Sequence, residues 1–213
     1  MITLFHNRSG SYISLGGVYE VKNKSTTIKE ITAKVFRQSD NATLSLIWST
    51  FPSPIYRKVA GNFETSFETA HSFKVEADTL APAFVEFADK CANMDEVSNN
   101  ILYPVVCATM PIFSQPNATL PIVDGAVRAL PEYALAKIAL NDHFFWKADE
   151  YEMVITTIHS KGTFDNKYVF SLSDAESLRL RNNIDSVLIS HVANHFGIPV
   201  QMNTVTKDFK GKK

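Results

Sequence analysis

Hydrophobic and polar residues alternate with a period close to two over much of the stretch from Tyr12 to Ala88. This period is typical of β-strands that bury one face. It predicts strands at 18–21, 28–37, 44–48, 55–59, 71–75 and 83–87. The first strand extends back to Tyr12 if Gly16-Gly17 forms a bulge. Turn-forming residues such as Ser39-Asp40-Asn41 separate the strands. Pro52 and Pro54 break the alternation and are expected to lie at a corner or at an edge of the sheet.

Short strands separated by turns at a spacing of roughly 8–12 residues favour a sandwich or a barrel. Residues 1–89 are therefore predicted to form an antiparallel β-sandwich-like domain. It resembles immunoglobulin-like architecture at the level of fold class, although the cysteine–tryptophan–cysteine core of true immunoglobulin domains is absent. Residues 90–213 are predicted to form an α+β region, either as a second domain or packed as one body with the first.

Proline positions guide the interpretation of the middle of the chain. A helix is predicted to start over 94–100 with Asn93 as its cap, and Pro104 is expected to end or kink it. The segment from Gln115 to Pro121 is predicted to be a loop. Pro131 suits the first turn of a helix that runs to Leu140. The buried face of that helix is predicted to be one of two pairs, Leu135 with Ile138 or Leu130 with Ala134.

The last third of the chain gives stronger local signals. Alternation over 151–156 and 167–172, with turn-forming residues between, predicts a β-hairpin. Ser173-Asp174-Ala175-Glu176 then matches a capping box, in which the serine and the glutamate each bind the other's backbone N–H. An apolar stripe at helical spacing predicts one helix from Asp174 to Phe196, which Gly197 ends in the left-handed conformation. A final strand is predicted at 200–205.

The composition is that of a folded globular protein, since 45% of the 213 residues are hydrophobic and 20% are charged. The formal net charge of −1 provides no broad basic surface, so no nucleic-acid partner is expected. The sequence contains no apolar run of the roughly 18 residues that a transmembrane helix needs, and its first residues do not resemble a signal peptide. Cys91 and Cys107 are predicted to be unbridged thiols. Together these features predict a cytoplasmic location.

Sequence motifs for catalysis are scarce. The chain has 8 glycines and lacks a dinucleotide-binding fingerprint, a P-loop and a nucleophile elbow, so we predict no cofactor and disfavour an enzyme. His191 and His195 would share one helix face, but any third ligand is distant in sequence and no metal is expected there. A charge near a helix C-terminus explains them more simply. The carboxylates Asp149, Glu150 and Glu152 are interpreted as a solvated loop rather than a catalytic group.

Aromatic residues around a proline-rich segment provide the best functional lead. Phe51, Tyr56, Phe63 and Phe67 lie in or beside a predicted loop from Pro52 to Thr69, and polar residues surround the two phenylalanines at 63 and 67. Large aromatic side chains on an exposed loop suit recognition of another molecule. The alternative is that Phe63 and Phe67 fold back and cover one open end of the sandwich.

The sequence therefore predicts a non-enzymatic interaction or accessory module that binds a protein or another ligand through these four aromatic residues. Two alternatives stay open. One is a hydrolase-type enzyme whose site is assembled from residues distant in sequence. The other is the soluble part of a membrane-associated protein whose basic tail, with Lys207, Lys210, Lys212 and Lys213, lies near lipid.

Overall fold

A computed structural model describes residues 1–8, 10–59, 62–89, 94–208 and 210–211. Within these ranges, the description is limited to the backbone at 52–59, 62–67, 82, 94–95 and 210–211. The chain combines one large antiparallel sheet with a set of helices. The predicted mixed α+β class is therefore confirmed.

In the described part of the chain, eleven strands form a single sheet whose pairings are all antiparallel. The strands are β1 (Ile2–Asn7), β2 (Gly10–Val21), β3 (Thr26–Arg37), β4 (Thr43–Val59), β5 (Asn62–Thr69), β6 (Phe73–Val75), β7 (Thr79–Asp89), β8 (Asp149–His159), β9 (Gly162–Leu172), β10 (Thr204–Lys207) and β11 (Lys210–Gly211). Their order across the sheet is β10-β1-β2-β7-β4-β3-β8-β9-β11, with β5 paired to β4 and β6 paired to β3 outside this path.

The sheet curls so strongly that strands far apart in its order meet. The hydroxyl oxygens of Tyr19 on β2 and Thr157 on β8 lie 3.4 Å apart, although β7, β4 and β3 separate these strands in the sheet. Tyr19 also packs edge-on against Phe73 of β6, with ring centroids 5.8 Å apart. The concave face therefore holds the core, to which the longer strands contribute buried side chains such as Ile13, Ile31, Leu46, Val85 and Met153.

The predicted immunoglobulin-like sandwich is not confirmed, because the strands join one hydrogen-bonded sheet. Strand β8, from the C-terminal half, pairs with β3 over most of its length, and β10 pairs with β1. Alternation with a period of two reports only that one face of a strand is buried, and a curled sheet and a sandwich share that property. The predicted segments 1–89 and 90–213 both contribute strands to this sheet, and a division between them stays a prediction.

Helices close the core on the side that the sheet leaves open. Six are found in the described ranges: α1 (Met94–Phe113), α2 (Leu120–Arg128), α3 (Pro131–Asp142), α4 (Asp174–Arg181), α5 (Asn183–Leu188) and α6 (Ser190–His195). Helices α4 and α5 pack against β1, and α4 also packs against β10. Trp146, between α3 and β8, is fully buried, and its indole N–H donates to the Phe5 carbonyl at 3.1 Å.

Most of the predicted strands are confirmed, with differences at their ends. Strand β2 extends back beyond Tyr12, but its regular pairing with β7 shows that the predicted bulge at Gly16-Gly17 is wrong. The ring of Phe84 lies over Gly16, where a Cβ atom would be 3.1 Å from the ring. The hairpin of β8 and β9 is confirmed, β10 begins at Thr204 rather than at position 200, and β1 was not predicted.

Pro52 and Pro54 do not break the strand, but they lie where β4 pairs with β5 alone in the described chain, which agrees with the predicted edge rather than with a corner. Strand β4 is continuous from Thr43 to Val59, and its register against β5 shifts between Pro52 and Tyr56. An irregular register suits proline, which has no N–H to donate to a neighbouring strand. The predicted loop from Pro52 to Thr69 is wrong for its described residues, because 52–59 belongs to β4 and Asn62–Thr69 forms β5.

The capping box at the start of α4 is confirmed. The Ser173 hydroxyl accepts from the backbone N–H of Glu176 at 3.4 Å, and the Glu176 carboxylate accepts from the backbone N–H of Ser173 at 2.9 Å. Gly197 has the predicted left-handed conformation, with φ of +69°. Both features depend on local sequence alone.

The predicted single helix from Asp174 to Phe196 is wrong, because the segment divides into α4, α5 and α6. The first division lies beside Asn183, whose buried side chain donates to the carbonyls of His6 and Asn203, each at 2.9 Å. Its amide oxygen accepts from the backbone N–H of Asn203 at 2.7 Å. These bonds attach the start of α5 to β1 and to the segment before β10.

The middle helices differ from the prediction in three respects. Pro104 does not end α1, which continues through Pro104 and Pro111, and α2 occupies the end of the predicted loop with Pro121 in its first turn. Helix α3 begins at Pro131 as predicted, but neither predicted pair forms its buried face. The residues that α3 does bury are Tyr133, Ala136 and Leu140.

Candidate binding surface

The C-terminal half of β4 and the whole of β5 form a two-stranded arm, residues 51–59 and 62–69. The pairing of β4 with β3 ends at Ile47, and its pairing with β7 ends at Thr50. Beyond these points, the described part of β4 pairs with β5 alone, and β5 with β4 alone. In this register Tyr56 lies opposite Thr65, and Phe67 lies opposite Pro52.

An aromatic cluster holds the base of the arm to the sheet. Phe51, the first residue of the arm, is half-buried, and its ring packs edge-on against Trp48 at 4.3 Å and against Phe73 at 5.4 Å. His71 lies on another side of the Phe51 ring, at 5.3 Å. The Trp48 indole N–H donates to the Thr50 carbonyl at 3.2 Å. Each aromatic pair is worth about 0.5–1.5 kcal/mol beyond its buried area, so the base of the arm is anchored.

The four predicted binding residues therefore lie on the arm, but the structure describes the side chain of one only. Phe51 packs at the base, where it contributes to the fold. The backbones of Tyr56, Phe63 and Phe67 are in β4 and β5, and their side chains lie outside the described residues. The proposed binding role of these three residues stays a prediction.

The two C-terminal histidines each contact another part of the protein. The His191 Nε2 atom lies 3.0 Å from the Thr109 hydroxyl of α1, and the His195 ring stacks on Phe113 with centroids 4.0 Å apart. Burial lowers the pKa of His191, so the predicted favourable charge near the helix end does not apply to it at neutral pH. Among the residues described, no group of three or more metal-ligating side chains occurs.

The acidic cluster lies on β8 rather than in the predicted loop. Asp149 accepts a hydrogen bond from the Ser39 hydroxyl, and this bond lowers the pKa of its carboxyl. Glu150 and Glu152 line an open cavity of about 670 Å³ together with Lys207 and Asp208. The Lys207 ammonium is bound to the Glu176 carboxylate at 2.7 Å, so this lysine of the basic tail is paired within the protein. Lys210, Lys212 and Lys213 have no described side chains.

A buried histidine–serine pair was not found by sequence reasoning. The His6 Nδ1 atom lies 3.4 Å from the Ser11 hydroxyl, and the two residues are only 3% and 2% exposed. Burial lowers the pKa of His6 to about 4, so the ring is neutral at pH 7. A nucleophile and its base must reach substrate, and these two side chains do not reach the surface. The pair is structural.

A second cavity joins residues that are remote in sequence. It measures about 250 Å³, and its polar side includes Arg8, Asn99 and His191. The Arg8 guanidinium donates to the Asn99 side-chain oxygen. Typical ligand pockets are about 300–1,000 Å³, so this cavity is small for an organic ligand. Nothing in the local sequence indicated it, because its walls come from three separate parts of the chain.

Cys107 is a free and exposed thiol on α1. Cys91 lies outside the described residues, and the prediction that the two are unbridged stays a prediction. Across the described ranges, helices of the length and apolar character required to cross a membrane are not found. Comparison of the chain with protein-family models, curated proteins and solved structures gives no match.

Proposed function

We propose that this protein is a non-enzymatic binding module that recognises a protein partner through the arm. The observation that carries the proposal is the pairing of the arm, whose two strands bond only to each other within the described chain. A two-stranded hairpin by itself is marginally stable in water. Its outer edges also present backbone N–H and C=O groups that can pair with another chain.

The sequence of the arm supports the same function. Residues two apart in a strand share a face, so we expect Phe63 and Phe67 to lie on the same face of β5. Because Tyr56 is opposite Thr65 in the register, we expect Tyr56 on that face as well. Large aromatic residues are enriched where protein interfaces have most of their binding energy. Phe51 packs against Trp48 and Phe73 and so fixes the position of the base of the arm.

The proposal is tested by removing the two phenylalanines together. The variant Phe63→Ser with Phe67→Ser and the wild-type protein are immobilised and exposed to an extract of the cells that make this chain. Phe164→Ser is the matched control, because Phe164 is 39% exposed on β9 rather than on the arm. We expect the wild-type protein and the control to retain one discrete partner, and the double variant to lose at least nine-tenths of it.

Urea unfolding of the same variants separates binding from folding. If the phenylalanines face a partner, the double variant should unfold within about 1 kcal/mol of wild type, as surface substitutions do. If they cover the core, each should cost roughly 3–5 kcal/mol. A loss of that size, or equal capture by the double variant and wild type, would refute the proposal.

A further inference from the structure

The charged residues of the arm are divided between its two faces. The arm has four of them, Arg57, Lys58, Glu64 and Glu68. In the register of β4 against β5, Arg57 lies opposite Glu64 and Lys58 lies opposite Phe63. Residues directly opposite each other in an antiparallel pair share a face, and so do residues two apart in one strand. Arg57, Glu64 and Glu68 are therefore placed on one face of the arm, and Lys58 is placed on the other.

The face with Lys58 is also the face on which the aromatic residues are placed. Phe63 and Phe67 are four positions apart on β5, and Tyr56 lies opposite Thr65, midway between them. We call Tyr56, Lys58, Phe63, Thr65 and Phe67 the aromatic face. These five residues combine three aromatic rings with one cation and no carboxylate. Both glutamates of the arm belong to the opposite face.

The two cations of the arm therefore have different surroundings in the register. Arg57 has a carboxylate residue directly across from it, whereas Lys58 has Phe63 across from it. A partner that covers the aromatic face removes water from the lysine, and an unpaired charge in such an interface is costly. The cost is offset when the partner places an anion against the ammonium group. The aromatic face thus favours a partner that combines apolar groups with a negative charge.

The charge of the arm as a whole disfavours a polyanion as this partner. Nucleic acids have a phosphate at every nucleotide, and proteins bind them through several cations at once. The two cations and two carboxylates of the arm give it a net charge of zero, and the whole chain has a formal net charge of −1. One lysine among aromatic residues matches one carboxylate better than it matches a row of phosphates.

We propose that the protein partner of the arm presents an aspartate or glutamate side chain within its apolar contact surface, and that Lys58 binds this carboxylate beside Phe63. The inference rests on the proposed binding function and adds the chemistry of the partner to it. Residues directly opposite each other on neighbouring strands have Cβ atoms about 4.5–5.5 Å apart, so a partner that covers Phe63 also reaches Lys58. The carboxylate then selects among apolar partners, because a partner without it leaves the lysine unpaired.

NMR titration of the isotope-labelled full chain with two defined peptides tests the inference. One is the blocked peptide Leu-Asp-Ser-Leu-Asp-Ser, and the other has asparagine in place of each aspartate. We expect the acidic peptide to shift the backbone signals of the aromatic face and to bind at least tenfold more tightly than the neutral peptide. Lys58→Gln should remove this difference. Arg57→Gln is the matched control, one residue away on the opposite face, and should retain it. The dispersion of the same spectra shows that each variant is folded.

Three results would overturn the inference: equal affinity for the two peptides, loss of the difference in Arg57→Gln as well, or no shift from either peptide at millimolar concentration. Equal binding of both peptides to the aromatic face would leave the proposed binding function in place and remove only the carboxylate. The capture experiment with Phe63→Ser and Phe67→Ser decides the binding function separately. Binding of a single-stranded oligouridylate that both Lys58→Gln and Arg57→Gln weaken would assign the arm to nucleic acid instead.

Discussion

Protonation of His6 should destabilise the fold between pH 7 and pH 4. Its ring is 3% exposed and packs edge-on against Phe144 at 5.2 Å, and burial lowers its pKa from 6.5 to about 4. The neutral ring is therefore favoured in the folded state, while the unfolded chain takes up a proton near pH 6.5. The stability that depends on neutral His6 is complete above pH 6.5 and is lost as the pH falls toward 4.

The size of the effect follows from the difference between the two pKa values. About 2.5 units at 1.36 kcal/mol per unit gives a maximum loss of about 3.4 kcal/mol below pH 4. The same linkage gives about 2 kcal/mol between pH 7 and pH 5. In that interval most carboxylates stay ionised, so His6 should dominate the difference between wild type and a variant without the imidazole.

Urea unfolding of wild type and His6→Gln at pH 7 and pH 5 measures this difference. The free energy of unfolding of the wild-type protein should fall by about 2 kcal/mol more than that of the variant. His191, whose pKa burial also lowers, is present in both proteins and cancels. If both proteins lose the same stability between the two pH values, His6 is not held neutral in the fold, and its assigned place in the core is wrong.

Two further predictions concern the C-terminal helices and are checked by urea unfolding at pH 7. Asn183→Ala removes three hydrogen bonds that attach α5 to β1 and to the segment before β10. The free energy of unfolding should therefore fall by about 3 kcal/mol. A fall of less than about 1 kcal/mol would show that these bonds do not hold the segments together. Ser173→Ala removes the cap of α4 and should cost about 1 kcal/mol, whereas Ser114→Ala, at an exposed position after α1, should change stability by less than about 0.5 kcal/mol.

Features that depend on neighbouring residues could be predicted from the sequence. The capping box at Ser173, the left-handed Gly197 and the hairpin of β8 and β9 each follow from a few consecutive positions. Strand β3 was also predicted, because Ile31, Ala33 and Val35 alternate with polar residues and do face the core. In these elements the local pattern and the tertiary structure require the same conformation.

Features that depend on distant contacts could not be predicted. The division of the C-terminal helix depends on Asn183 reaching His6 and Asn203, which no local pattern encodes. The buried side of α3 was mispredicted because this helix has apolar residues on more than one of its sides. Contacts with neighbouring elements, rather than the sequence pattern, determine that Tyr133 is buried and Leu135 is exposed. The curl of the sheet could not be predicted either, because strands of a sandwich and of a curled sheet show the same alternation of hydrophobic and polar residues.

The candidate site shows the same limit. The aromatic residues of the arm were recognised as unusual from composition, but their segment was assigned to a loop because Pro52, Pro54 and the polar residues of β5 disfavour a strand. Pairing with β4 overrides that preference by satisfying the backbone of β5.

Photo-crosslinking from single positions of the arm tests the binding function most directly. The crosslinking amino acid p-benzoylphenylalanine replaces Phe63, Phe67 or Ser66 in turn, and each protein is irradiated in an extract of the cells that make this chain. Positions 63 and 67 should yield one discrete crosslinked species, and position 66, one residue along the same strand and on its other face, should yield little of it. Equal crosslinking from both faces, or none from positions 63 and 67, would contradict a binding surface on the arm.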